Sequence, residues 1–326
     1  MTVRRVARVR AAGMRVVSLL PSATEICYAL GVEPVGVSHE CDWPPEAEDL
    51  PTLDRSRVDP DRSSAEINEQ VAQAERDHGG VYEIRLDALS ETDPDVVVTQ
   101  GVCDVCAVDT LLVEEAIAEA GIDAEVLTTD VHSLDDLYHD IERFGEVFDR
   151  EERAADLVAD LRERVDAVRE RTAGIAPEER PSVAVFDWLD PVMVAGHWMP
   201  ELVDAAGGTY PMADAGDRST PREWASVRDA DPDIAVAAPC GFGLDQTLDT
   251  REELTGRPGF ADLTAVREGR VYAMDGHYFV NRPGPRLVDT LEHLAGLVHP
   301  ELFEESPDDV ARDLPVDVPR RKESTA

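Results

Sequence analysis

Four of the five cysteines in this chain come directly after short apolar runs. The four are Cys41, Cys103, Cys106 and Cys240. If the runs are parallel strands, the thiols lie at the carboxyl ends of those strands. Open α/β sheets bind their ligands at that edge. The pattern therefore predicts a binding cleft.

The thiols themselves allow three kinds of chemistry. Cys103 and Cys106 have the spacing of a redox pair, although no thioredoxin-type sequence surrounds them. With Cys41 and His39 they offer thiolate and imidazole ligands that suit zinc, iron or cobalt. The third interpretation is that they are small buried residues at strand ends, which we favour for Cys240.

Apolar runs alternate with amphipathic segments along most of the chain. Strands are predicted at 16–20, 35–38, 95–99, 124–127, 182–186, 234–238 and 270–274. Helices are predicted at 21–30, 110–120, 201–206, 222–228 and 286–298. This order predicts an α/β fold with mainly parallel sheets covered by helices.

One long segment, residues 134–174, has helical spacing and no strand signal. It divides the chain into an amino-terminal α/β lobe at 15–133 and a carboxyl-terminal α/β lobe at 181–300. We expect one linking helix or two in series, and a ligand cleft between the lobes. The polar sequence at 301–326 predicts a frayed tail.

The composition is strongly acidic, with 69 Asp and Glu against 31 Lys and Arg and a formal net charge of -38. Such a surface repels nucleic acid and anionic lipid, so neither is an expected partner. Hydrophobic residues make up 43% of the chain, which indicates a folded protein. Hydrated carboxylates spread along the sequence indicate a halophilic source, where salt screens their repulsion.

The amino terminus is rich in arginine and leads straight into the strand predicted at 16–20. A secretory signal would place an apolar segment and a small-residue cleavage site there. We therefore predict a cytoplasmic protein, and the odd number of cysteines fits a reducing compartment. The alternative is an extracytoplasmic, membrane-associated protein whose true start lies upstream.

Four collinear segments resemble the substrate-binding proteins of ABC importers for cobalamin, haem and ferric siderophores. They are 17–25 (VSLLPSATE), 35–47 (VGVSHECDWPPEA), 263–272 (LTAVREGRVY) and 281–286 (NRPGPR). The resemblance covers about residues 15–300, and members of this family have two lobes bridged by a rigid helix. The chain looks most similar to members without a signal peptide that are labelled cobalamin-binding.

The resemblance implies a monomeric, non-enzymatic protein that holds a corrinoid such as cobalamin, or a related metal macrocycle or siderophore, in the cleft. It requires no cofactor, and its partner is an ABC permease. The alternative is a cytoplasmic metal- or corrinoid-handling protein that uses Cys41, Cys103 and Cys106 as metal or redox thiols. No Ser/His/Asp grouping, phosphate loop or paired-carboxylate motif indicates hydrolase chemistry.

The resemblance also places aromatic and polar side chains at the cleft. Trp43, Trp188, Tyr278 and Phe279 offer flat surfaces to a macrocycle, although core aromatics are the alternative. The rest of the predicted ligand-binding set is Gln100, His197 and Arg282. An imidazole can ligate cobalt or iron, and a guanidinium can bind amides, carboxylates or phosphate.

Family members dock on their permease through an acidic residue on each lobe. Glu223 matches the position on the second lobe, which makes it the predicted docking residue. In a chain with so many carboxylates, an ordinary solvated glutamate is the alternative interpretation.

Overall fold

A computed structural model of the protein describes residues 13–101 and 108–316. The strands in this part of the chain are β1 (Val16–Ser18), β2 (Gly36–Val37), β3 (Asp54–Ser56), β4 (Tyr82–Ile84), β5 (Val96–Gln100), β6 (Glu125–Thr129), β7 (Val183–Leu189), β8 (Val192–Val194), β9 (Thr220–Pro221), β10 (Ile234–Ala237), β11 (Val271–Met274) and β12 (Ala311–Asp313). The α-helices are α1 (Pro21–Ala29), α2 (Ser64–His78), α3 (Leu86–Thr92), α4 (Thr110–Ala120), α5 (Leu134–Phe148), α6 (Glu151–Thr172), α7 (Met199–Ala205), α8 (Trp224–Ala230), α9 (Leu244–Asp249), α10 (Glu252–Thr255), α11 (Thr264–Glu268) and α12 (Leu287–Val298).

Two main sheets organise the molecule. The first has four parallel strands in the order β2-β1-β5-β6. The second has the order β12-β11-β10-β7-β8-β9, in which β7, β10 and β11 are parallel and the outer strands are antiparallel. Strands β3 and β4 form a separate antiparallel ribbon. The predicted α/β class with mainly parallel sheets is confirmed.

The central strands are apolar on both faces because both faces are covered. All five residues of β5 and all four of β10 are buried. Such strands read as continuous Val, Ile and Ala runs, which is why the sequence locates them well.

Below, the first half denotes residues 16–129, which build the first sheet, and the second half denotes residues 183–313.

Helices α5 and α6 occupy the segment that the sequence predicts as a helical link. They pack against each other, and Asp149 between them has a left-handed backbone with φ 55°. Buried residues of α5 and α6 join a core cluster that includes strand residues of both sheets. This shared core ties the two halves together.

The end of the chain differs from the prediction of a frayed tail. Residues Ala311–Asp313 form β12, which pairs antiparallel with β11. The pairing anchors the segment because Ala311 and Leu314 are buried against the second sheet. The prediction is therefore wrong for these residues.

Within the described residues, none of the helices combines the length and the apolar character that crossing a bilayer requires.

Candidate functional site

A small cavity of about 70 Å³ lies between the two halves. Its lining residues lie at the last residue of β5 or after β1 and β2 of the first sheet, and after β10 and β11 of the second. They are Leu20, Pro21, Ser22, Glu40, Gln100, Cys240, Gly241, Gly276, His277, Asn281, Arg282 and Pro283. All of these strands except short β2 are central parallel strands, so their carboxyl ends converge on one place. This is the cleft that the cysteine positions predict.

One ion-pair cluster spans the cleft. The Asp42 carboxylate accepts from both terminal nitrogens of Arg282, at 2.6 Å and 3.0 Å. His277 Nε2 lies 2.6 Å from the same carboxylate and 2.8 Å from a terminal nitrogen of Arg282. Burial opposes the charge on Asp42, but the bonds from His277 and Arg282 outweigh it and hold its pKa well below the usual range.

A second carboxylate extends this cluster. Glu25, on α1, accepts from Arg286 at 2.5 Å and 3.1 Å and lies 3.5 Å from Arg282. Glu25 is buried, and its Oε2 atom has no hydrogen-bond partner. Burial raises the pKa of Glu25, although Arg286 and Arg282 favour the charged form. The first half thus supplies the anions of the cluster and the second half its cations.

Three predicted aromatic residues surround Arg286. Its guanidinium carbon lies 5.1 Å from the ring centre of Trp43, 5.2 Å from that of Tyr278 and 5.8 Å from that of Phe279. Trp43 is 44% exposed, whereas Phe279 packs on the core and edge-on to His293. The structure brings these rings to the edge of the cleft, and Trp43 presents the most open face.

Trp188 is placed differently from the sequence prediction. The sequence predicts a loop after residue 186, but β7 continues to Leu189 and pairs with β8. The indole donates to the Asp190 carbonyl and packs edge-on to Phe242 at 5.5 Å. Trp188 is therefore a strand residue in a hairpin, outside the residues that line the cavity.

Of the polar predictions, Gln100 and Arg282 line the cavity, whereas His197 does not. His197 has a left-handed backbone with φ 52°, and its Nδ1 lies 3.1 Å from His132 Nδ1. Burial and the neighbouring His132 and Arg218 lower the pKa of His197 to about 4. The imidazole that faces the cavity is His277.

The predicted metal ligands of the first half that the structure describes, Cys41 and His39, are engaged in other contacts. The Cys41 thiol is buried and accepts from Thr24 Oγ1 at 3.1 Å. Burial raises the pKa of Cys41 to about 12, so the neutral thiol dominates. His39 Nδ1 lies 2.7 Å from Asp54 and its Nε2 lies 3.1 Å from Glu40. Both contacts favour the structural interpretation of this pair.

Cys103 and Cys106 lie outside the described residues, so their metal or redox role stays a prediction. Across residues 13–101 and 108–316, no group of three or more His, Cys, Asp and Glu side chains is arranged to hold a metal. Cys240 is half-buried and lines the cavity, although the sequence interpretation made it structural.

Sequence reasoning missed the acidic side of the cleft. Glu25 and Asp42 carry no signal of their own in so acidic a chain, and both lie in segments that resemble the family. Arg286 lies in the matching carboxyl-terminal segment 281–286, and His277 lies four residues before that segment. Glu223, the predicted docking residue, is exposed at the start of α8.

Comparisons with known proteins agree with this architecture. Residues 16–278 match a family described as periplasmic binding protein. An uncharacterised ABC transporter substrate-binding lipoprotein of Bacillus subtilis, YvrC, is 27% identical over 89% of this chain and 82% of its own. A vitamin B12-binding protein of Vibrio cholerae is 24% identical over 86% of this chain and 87% of its own.

The fold also matches solved structures. The periplasmic heme-binding protein RhuT from Roseiflexus sp. RS-1 superposes with a TM-score of 0.66 at 24% identity, covering 89% of this chain and 99% of RhuT. At this identity the match shows a shared fold.

These comparisons overturn the prediction of a cytoplasmic protein. The matching proteins are a lipoprotein and periplasmic binding proteins, which work outside the cytoplasm. The alternative of a cytoplasmic metal- or corrinoid-handling protein loses its basis with that prediction. The arginine-rich amino terminus misled the sequence interpretation.

Proposed function

The chain belongs to the periplasmic binding protein family, and we propose that it is the substrate-binding component of an ABC importer. The ligand that we propose is a corrinoid, or a related metal macrocycle or siderophore, held between the two sheets. The protein binds and delivers its ligand without changing it chemically.

The observation that carries this proposal is the shared cavity. Residues after β1, β2 and β5 face residues after β10 and β11 across one space. A ligand there contacts both halves at once, as expected at the carboxyl ends of open α/β sheets. Polar groups such as Gln100 and Asn281 can hold amides on the rim of a corrin, while Trp43 supplies an aromatic face.

A macrocycle needs more room than the structure offers. The cavity encloses about 70 Å³, whereas pockets for drug-sized ligands enclose about 300–1,000 Å³. Only part of a macrocycle therefore fits in this cavity, and we propose that side chains of the cleft rearrange when the ligand binds.

The corrinoid is the first ligand to test because a relative that covers most of the chain is a vitamin B12-binding protein. The experiment is a titration of purified protein in high salt with cyanocobalamin, haemin and a ferric hydroxamate, followed by equilibrium dialysis. Retention of one of these compounds at one per protein supports the proposal. If none is retained, the proposed ligand class is wrong.

We also propose Glu223 as a contact to the permease. Its carboxylate is exposed at the amino end of α8, where no described ion pair engages it. In cells that depend on the importer, Glu223→Ala should lower ligand uptake while leaving binding by the purified protein unchanged. Glu268→Ala, at another exposed glutamate, is the matched control. Equal uptake by both variants would contradict the docking role.

A further inference from the structure

Two histidines outside the cavity meet where the first sheet approaches the second half. His132 lies just beyond the carboxyl end of β6, the strand beside β5. His197 lies in the loop between β8 and α7. Their Nδ1 atoms are 3.1 Å apart and their ring centres 5.1 Å apart. Neither histidine is among the residues that line the cavity, so the pair is a feature separate from the ligand cleft.

The backbone around His197 is held in an uncommon conformation. Its φ of 52° lies in the left-handed region, which residues other than glycine rarely adopt. The His197 N–H donates to the Asp217 carbonyl at 2.5 Å, and its carbonyl accepts from Gly216 at 2.9 Å. A Cβ atom at Gly196 would collide with the backbone at 217–219, so this close approach requires glycine. Backbone strain persists where the surroundings enforce it, and it is common at ligand sites.

His132 is oriented through its other ring nitrogen. His132 Nε2 lies 3.0 Å from Asp130 Oδ1, and because a carboxylate only accepts, Nε2 carries a proton. In the neutral ring the lone pair is then on Nδ1, which accepts from Nδ1–H of His197. Histidines that bind metals usually donate their second nitrogen to a carboxylate or carbonyl in this way. The His132 backbone N–H donates to Asp136 at 3.0 Å, which fixes the residue at the start of α5.

The separation of the two nitrogens matches that of two ligands on one metal ion. With metal–nitrogen bonds of about 2.0–2.1 Å, a separation of 3.1 Å corresponds to an angle of roughly 95–102° at the metal. That angle lies between the right angle of an octahedron and the wider angle of a tetrahedron, both of which these ions adopt. His197 then carries its proton on Nε2 instead of Nδ1, a change of tautomer through water that leaves the ring neutral.

We propose that the Nδ1 atoms of His132 and His197 bind one divalent transition-metal ion of the class that prefers imidazole, with zinc as the probe. Asp130 is a positioning residue that orients His132. Water completes the coordination, because the described residues contain no group of three or more His, Cys, Asp and Glu side chains that could hold a metal. The ion would tie the start of α5 to the second half, whichever ligand the cleft binds.

The charges around the pair decide how the test is designed. Arg218 opposes a positive charge at His197, whereas Asp130 favours it. The net charge of -38 attracts any divalent cation weakly, so selectivity must come from the two nitrogens. Zinc binding is therefore measured by equilibrium dialysis in high salt with excess magnesium, which occupies oxygen sites. All proteins carry Cys103→Ser and Cys106→Ser, which removes the thiols that zinc also binds.

This parent protein should retain one zinc ion. His132→Asn and His197→Asn should each lose that ion, and asparagine at 197 tolerates the left-handed backbone. Asp130→Ala should bind zinc roughly tenfold more weakly, as expected when a metal-ligating histidine loses its outer partner. His78→Asn, at an exposed histidine on α2, is the matched control and should bind zinc like the parent.

An NMR titration of the parent with zinc gives a second readout that needs no variant. The ring signals of His132 and His197 should shift together at one equivalent, while those of His78 stay in place. Three results would overturn the inference: no zinc retained by the parent, equal retention by the parent and both histidine variants, or a shift confined to one of the two rings. Each of them leaves the proposed ligand-binding function intact, because neither ring lines the cavity.

Discussion

The guanidinium of Arg286 lies 5.1 Å from the ring centre of Trp43, a contact that joins the segment before α12 to the loop after β2. Trp43 is nevertheless 44% exposed, an unusual state for a large aromatic ring. The open face of the indole lies beside the cleft, where an incoming macrocycle can stack on it.

Trp43→Ala should therefore weaken ligand binding without unfolding the protein. We expect affinity for the retained ligand to fall roughly tenfold, as when an aromatic anchor is truncated. Stability should change by less than about 1 kcal/mol, because little buried area is lost. Dialysis and urea unfolding measure the two effects.

Trp224→Phe is the control for that experiment. Trp224 stacks on Phe260 and donates to the Pro258 carbonyl, away from the cavity. This variant should bind ligand as the wild type does. If Trp43→Ala also binds normally, Trp43 is not part of the site.

The pair formed by Asp42 and Arg282 should show strong energetic coupling in the unliganded protein. Arg282→Gln should lower the free energy of unfolding by about 3 kcal/mol, because it removes both guanidinium bonds to a partly buried carboxylate and leaves only the contact with His277. Asp42→Asn should have a similar effect for the buried guanidinium. The double variant should be more stable than the sum of the two single losses implies. Urea unfolding of the wild type, the two single variants and the double variant measures this coupling. Additive losses would show that the pair is not coupled.

His39 should stabilise the protein in a pH-dependent way on the alkaline side. Burial opposes its charge, but bonds to Asp54 and Glu40 outweigh burial and raise its pKa to about 9. A raised folded pKa gives stability that is complete below about 6.5 and lost as pH rises through about 9. After allowance for partial exposure, we expect a loss of about 2 kcal/mol. The loss should be absent in His39→Gln; a loss of the same size there would assign it to another group.

Protonation of His197 should destabilise the folded protein as pH falls, whereas protonation of His39 stabilises it. Its pKa is lowered to about 4 by burial, then by His132 and Arg218, while Asp130 opposes the shift. A depressed histidine pKa favours the unfolded state as pH falls from about 6.5 to about 4. His132→Asn removes the neighbouring imidazole and should raise the His197 pKa, which the NMR titration of the His197 ring measures. No change in that titration would contradict the proximity of the two rings.

Cys41 should be inert to thiol reagents. Its pKa of about 12 and its burial leave very little thiolate at pH 8. Brief iodoacetamide treatment followed by peptide mapping should modify Cys240 at the cavity well before Cys41. Cys41→Ser should keep the ligand affinity of the wild type. Rapid labelling of Cys41 would argue for an open, reactive site instead.

The sequence predicted the central strands well and the edges poorly. Strands β5 and β10 are buried on both faces, so their Val, Ile and Ala runs are unmistakable. Strands β3, β9 and β12 have two or three residues and expose polar side chains, so no apolar pattern marks them. Trp188 was misplaced for the related reason that β7 continues past its fully apolar part.

The cleft was predicted in location but not in chemistry. Strand ends can be read from apolar runs, and the cavity lies at those ends. The pairing of Asp42 with Arg282 joins residues 240 positions apart, and only the folded chain shows it. His197 and His277 are both single histidines in glycine-containing loops, and only the tertiary structure shows that His277 is the one that lines the cavity.

Amide hydrogen exchange with and without bound ligand tests the central claim most directly. The ligand used is whichever of cyanocobalamin, haemin and ferric hydroxamate the dialysis retains. Binding between the sheets predicts slower exchange at 20–25 and 40–43 in the first half and at 276–283 in the second, together. Protection confined to one half, or located away from these three segments at saturating ligand, would contradict a site between the two sheets.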